Sequence, residues 1–144
     1  MNYISDLTVD SITFTPSTTH AGIVDIDAPE GLRPLQAFFW AISWNNLVFF
    51  ANCVADGIGC GFEVANTQYD DDLEPDEEQF EGVCVNSQMD DESIVLSRHA
   101  FEELALRFLD LCISIAQEQD QPIQHQPAWS KLLEYRDRLK ARQQ

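Results

Sequence analysis

Apolar and polar residues change their period several times along this chain, and each change marks an expected element. Near the start, "TVDSITFT" alternates, a polar "PSTTH" turn follows, and "AGIVDID" alternates again, so the first thirty residues are expected to form a β-hairpin. "APEGLRP" then interrupts the pattern with two prolines and a glycine. Over 35–55 two periods compete. Leu35, Phe38, Phe39 and Ile42 sit at i, i+3, i+4 and i+7, one face of a helix over 34–43, while Phe38, Trp40, Ile42 and Trp44 also alternate as a strand would. The helix is the favoured reading, the strand stays open, and in either case the aromatics read as core. Asp56-Gly57 looks like a stop.

Downstream, "IGCGFEVAN" reads as a strand with Cys60, Phe62 and Val64 on one face, "FEGVCVN" as a second, and "SIVLS" as a third after a "QMDDE" turn. Three antiparallel strands are therefore expected across 58–97. Ser97 is a good N-cap, Glu102 and Glu103 lie in the first two turns where the helix macrodipole favours acids, and Phe101, Leu104, Leu106, Phe108, Leu109, Cys112 and Ile115 supply a broad apolar face to about Gln117. After the polar link "QEQDQPIQHQP", residues Trp129, Leu132, Leu133, Arg136 and Leu139 mark a last amphipathic helix. The expected fold is a single α+β domain over 1–144, with an antiparallel sheet of four to five strands against two C-terminal helices and a helix in the N-terminal half if 34–43 is helical.

Length and composition agree with one packed core, since 144 residues with 44% apolar content bury enough surface to fold alone. The most apolar region, "LQAFFWAISWNNLVFFANCVA", is interrupted by Gln36, Ser43, Asn45, Asn46 and Asn52, so no membrane span is expected. "MNYISDLTVD" has neither the basic start nor the apolar middle of a secretory signal, and a cytosolic location is expected. Cys53, Cys60, Cys84 and Cys112 fit no compact disulfide framework and read as buried thiols. His20, His99 and His125 are scattered singly, so neither a structural zinc site nor any cofactor is expected.

Charge changes the picture most. The net charge is −17, and residues 34–97 contain no Lys or Arg while holding thirteen acids. Five of the eight bases, Lys131, Arg136, Arg138, Lys140 and Arg142, gather near the other end. Phosphates are repelled from such a surface within a screening length of about 8 Å, which argues against nucleic acid and anionic membranes as partners. A cationic partner is expected instead. Its candidate contacts are Asp70, Asp71, Asp72, Glu74, Asp76, Glu77, Glu78 and Glu81, with Asp90, Asp91 and Glu92 on the next turn as a second group.

Two other chemistries compete with this one. The twelve residues from Asp70 to Glu81 place acids at positions 1, 3, 5, 7, 9 and 12, the spacing of an EF-hand loop, which would make the chain a calcium-binding module. Pro75 stands where that loop needs glycine, and strands flank it in place of helices, so no metal ligands are assigned. Catalysis has no constellation with nameable roles. His99 lies near Glu102 and Glu103 without a nucleophile motif, and the chain is expected not to be an enzyme.

The stretch "FEGVCVNSQMDDESIVLSRHAFEELALRFLDL" carries a resemblance. Phe80-Glu81-Gly82-Val83, a polar turn, then Glu92-Ser93-Ile94-Val95-Leu96-Ser97 leading into a helix opened by Phe101 resembles the ribonuclease-toxin immunity proteins of bacterial contact-dependent growth inhibition systems. The likeness spans roughly 58–115 and, more loosely, the final helix. It implies a cytosolic immunity protein that binds the toxic nuclease domain of a neighbouring cell's effector in a 1:1 complex and occludes its active site. An acidic nucleic-acid mimic that blocks a DNA-binding protein is the alternative that the same charge allows.

Overall fold

In the computed structural model, which describes residues 2–18 and 22–143, the first element departs from the expected strand. The Ser5 hydroxyl accepts the Thr8 amide at 3.2 Å and caps a short helix, α1 (Asp6–Asp10). Arg107 then grips the exit of that turn, donating to the carbonyls of Val9 and Ile12 at 3.1 and 3.0 Å. Alternation in "TVDSITFT" is therefore overridden at its first half by a cap and a distant guanidinium. The hairpin itself forms, from β1 (Thr13–Pro16) and β2 (Val24–Asp27), with Phe14 opposite Ile26. Thr19 and His20 of the expected turn, and Ala21, lie outside the described residues.

The competition over 35–55 resolves into two helices with a turn at 41–46 between them, and the helix expected over 34–43 ends at Trp40. Pro34, in the first turn, favours the start of α2 (Arg33–Trp40), which buries Leu35, Phe38 and Phe39. A second helix, α3 (Leu47–Asp56), follows after six residues and leaves through Gly57 with φ 68°, the expected stop. It was hidden in the sequence because "LVFFANCVA" is apolar nearly all round, as suits a helix covered on more than one side.

The expected strand "IGCGFEVAN" is corrected to a hairpin. β3 (Gly61–Phe62) turns at Glu63-Val64 into β4 (Ala65–Tyr69), and the meander continues through β5 (Val83–Ser87) and β6 (Glu92–Leu96) in the order β3-β4-β5-β6. Four antiparallel strands thus replace three over 58–97. In β4 the side chains of Ala65, Thr67 and Tyr69 face inward, and Thr67 accepts the Cys60 amide at 3.1 Å. The outer edge of β6 is covered by the N-terminal segment, where Ile4 donates to Val95 at 2.9 Å and Val95 donates to Asn2 at 2.8 Å.

Ser97 caps α4 (Arg98–Glu118) by accepting the Ala100 amide at 3.0 Å, and α5 (Ala128–Gln143) closes the chain, both as expected. The fold is α+β, with antiparallel sheets of two and four strands and the C-terminal helices packed onto the sheet layer. Phe38, Phe39, Phe50, Phe101 and Phe108 interlock where the layers meet, and Phe101 of α4 sets its edge against Tyr69 of β4 with ring centres 6.2 Å apart. α2 lies directly on β4, β5 and β6, while α5 spans α3 and α4. No described helix is long and apolar enough to cross a membrane.

All four cysteines are free and buried. Burial pushes the Cys60 thiol up to about 12 and raises Cys53, Cys84 and Cys112 above the ordinary 9.0. Because the folded state favours the neutral thiols, their contribution to stability is complete below pH 9 and is lost as pH rises from 9 towards 12. Urea denaturation at pH 8 and pH 10.5 should show the midpoint falling at the higher pH, and iodoacetamide at pH 8 should label the thiols quickly only in denaturant. Rapid labelling of Cys60 in the native protein would contradict this account.

Candidate functional site

The acidic segment begins where β4 ends at the buried Tyr69. Asp70–Asp72 form a single 3₁₀ turn, and Asp70 is held at both carboxylate oxygens. Oδ2 accepts the Gly82 amide at 2.7 Å and Oδ1 accepts the Arg98 guanidinium at 2.9 Å, while the Asp70 amide donates to the Gly82 carbonyl at 3.0 Å. The two ends of the loop are thus tied across the β4–β5 ladder. Arg98 also lies 3.5 Å from Asp71 and 4.8 Å from the centre of the Tyr69 ring, so one guanidinium serves two acids and an aromatic face.

The loop's middle is ordered by its own side chains. Glu74-Pro75-Asp76-Glu77 closes as a turn through the Glu77 amide and the Glu74 carbonyl (3.1 Å), with Pro75 at the second position where its fixed φ suits the bend. The Glu77 carboxylate folds back to accept the Gln68 amide at 3.1 Å and the Glu74 N–H at 3.0 Å, and these bonds, Gln68 first, hold it below its ordinary range. Gln79 donates to the carbonyls of Glu74 and Glu77. Asp72, Glu74, Asp76 and Glu81 point outward as exposed side chains that meet no cation among the described residues. With Asp70 turned to Gly82 and Glu77 to Gln68, the EF-hand spacing does not become an EF-hand geometry, and among the described residues no three His, Cys, Asp or Glu side chains converge as metal ligands would.

The sheet does not bring the two groups of candidate acids together. Asp70 to Glu81 connect β4 to β5 at one end of the strands, whereas Asp90 and Asp91 connect β5 to β6 at the other, with Glu92 opening β6. Five residues of strand separate them, about 17 Å. Asp90 lies 3.6 Å from Arg33, and Asp91 makes the turn with φ 53°. At this second end the Gln88 amide donates to Val64 at 2.9 Å, which places the Glu63-Val64 turn beside the acids. Two anionic poles replace the single rim that the sequence suggested.

The arginines of the C-terminal helix are drawn into the fold. Arg142 of α5 donates to the carbonyls of Val54 and Ala55 at the C-terminus of α3 (2.8 and 2.6 Å) and to the buried Glu102 of α4. Arg136 meets Asp110 at 2.8 Å and Asp137 at 2.7 Å, and Arg138 meets Asp56 at 2.9 Å. Five of the six arginines therefore have an internal acceptor, and Arg33 forms a looser ion pair with Asp90 at 3.6 Å. Of the basic cluster read near the C-terminus, Arg136, Arg138 and Arg142 act as struts, while Lys131 and Lys140 are exposed. Glu102, expected as a first-turn acid facing the macrodipole, is instead a buried partner of Arg142, and His99 beside it is exposed.

Sequence reasoning passed over Arg98, which organises the loop root, and Trp40, which is 47% exposed. Arg98 had a signal, as the first base after 64 residues without one and next to a helix cap. Trp40 had none, since a helical aromatic beside Phe38 and Phe39 reads as core. No protein-family model matches the chain, and comparisons with curated proteins and with solved structures find no similar one.

Proposed function

We propose that this chain is a cytosolic, non-catalytic immunity protein that binds a basic toxin domain 1:1, a ribonuclease of contact-dependent growth inhibition above all, and blocks its substrate cleft. One observation carries the reading. The arginines are engaged internally while Asp72, Glu74, Asp76 and Glu81 stand outward on an ordered loop, so the charge excess is concentrated on a preformed surface. A preformed anionic ridge loses little entropy on binding and steers a cationic cleft lined to hold phosphates.

The test is co-expression with nuclease domains of such effectors, read as growth, followed by association kinetics on the pair that is rescued. Asp72→Lys, Glu74→Lys and Asp76→Lys together should slow association at low salt by about ten- to a hundredfold, with dissociation changed far less and the melting temperature retained. Asp70 is left intact because it anchors Gly82 and Arg98. Unaltered association of the triple variant at low salt would remove the loop from the interface.

A further inference from the structure

At the pole opposite the acidic loop, the C-terminal end of α2 and the β3–β4 turn leave apolar side chains in the open. Trp40 and Val64 form a ridge between two depressions of about 520 and 480 Å³. Ile26, Ala37 and Met89 line the first, and Phe62 lines the second. Met89 is 74% exposed, and Phe49, 53% exposed, extends the patch with its ring centre 6.4 Å from Phe62. Trp, Met and Phe are the residue types enriched at the centres of protein interfaces, and such a contiguous patch is uncommon on a surface that meets only water.

Charge around the patch selects its occupant. Among the described residues, Glu63 lines the second depression and Asp90, Asp91 and Glu92 follow Met89, while Arg33 stands 3.6 Å from Asp90. A second copy of this chain would bring the same excess of acids to the contact, and an anionic lipid surface would be repelled likewise. We infer that this face docks a basic polypeptide segment that inserts an apolar side chain beside Trp40 and sets lysines or arginines against Glu63, Asp90 and Asp91. The inference deepens the reading above, giving the basic partner a second foothold about one strand length from the acidic loop.

The experiment is amide and indole chemical-shift mapping on the whole chain with two probes. One is a helix-forming peptide with leucines on one face and lysines on the other, and the other is an oligolysine of equal charge. The leucine–lysine peptide should shift the Trp40 indole and the amides of 37–41, 62–64 and 88–91. Its affinity should fall about tenfold or more in Trp40→Ser and in Met89→Ser, with the amide spectrum of each variant away from the patch checking that the fold is kept. Shifts confined to 70–81, or undiminished affinity in both variants, would overturn the inference. So would a dimer in sedimentation that Trp40→Ser dissolves, since a second copy would then be the occupant. Oligolysine reads the acidic loop separately, and its silence at 70–81 would count against the loop as an interface without touching the Trp40 result.

Discussion

Gly82→Ala is expected to destabilise the protein by about 4 kcal/mol, which for a chain of this size lowers the melting temperature by about 15 °C. Two costs combine. Gly82 has φ 112°, a conformation that an L side chain resists, and a Cβ there would stand 2.3 Å from the Leu96 carbonyl oxygen on the neighbouring strand. Relief requires β5 and β6 to part, which also moves the Gly82 amide off Asp70 and frees the root of the acidic loop. Gly31→Ala is the control, since φ there is also positive at 93° but a Cβ meets nothing within 4 Å. It should cost only about 1–2 kcal/mol. Urea denaturation of both variants checks the difference, and equal losses would show that the contact with Leu96 is not the cause.

Arg142→Met is expected to cost about 3 kcal/mol. Its guanidinium meets Glu102, whose residue is only 5% exposed, and it also satisfies the last carbonyls of α3. Removing it strands a buried carboxylate and two helix-end acceptors, and the stranded charge dominates the loss. The pair itself contributes much less than its rupture costs, because both charges give up water to form it and Arg142 remains partly exposed. Adding Glu102→Leu to Arg142→Met should therefore restore about half of the lost stability or more. Denaturation of the single and double variants decides the matter. A double variant no more stable than Arg142→Met would locate the loss in the α3 carbonyls instead.

These two sites also show where sequence reading reaches and where it stops. Ser97 as a cap, Gly57 as a stop and the apolar faces of α4 and α5 were all legible, because each depends on residues within one or two helical turns. The α+β class followed from the same local periods. α1 was missed because Ser5 and Arg107 overrule an alternating pattern, and the Glu63-Val64 turn because two residues reverse a strand without a glycine between them. The candidate acids were legible as composition, but not their division between two poles.

What the sequence determined by itself is the sign and excess of charge, the helical C-terminal third and the presence of a sheet. Tertiary structure alone decided which charges remain available. Arg98 meets Asp70 across 28 positions, Arg142 meets Glu102 across 40, and Arg107 reaches Val9 across 98. Pairing over such separations is set by how layers stack and strands register, and no local period encodes it. A guanidinium is drawn to whichever carboxylate or carbonyl the packing places within reach, so Asp72, Glu74, Asp76 and Glu81 stay available because the fold brings no arginine to them.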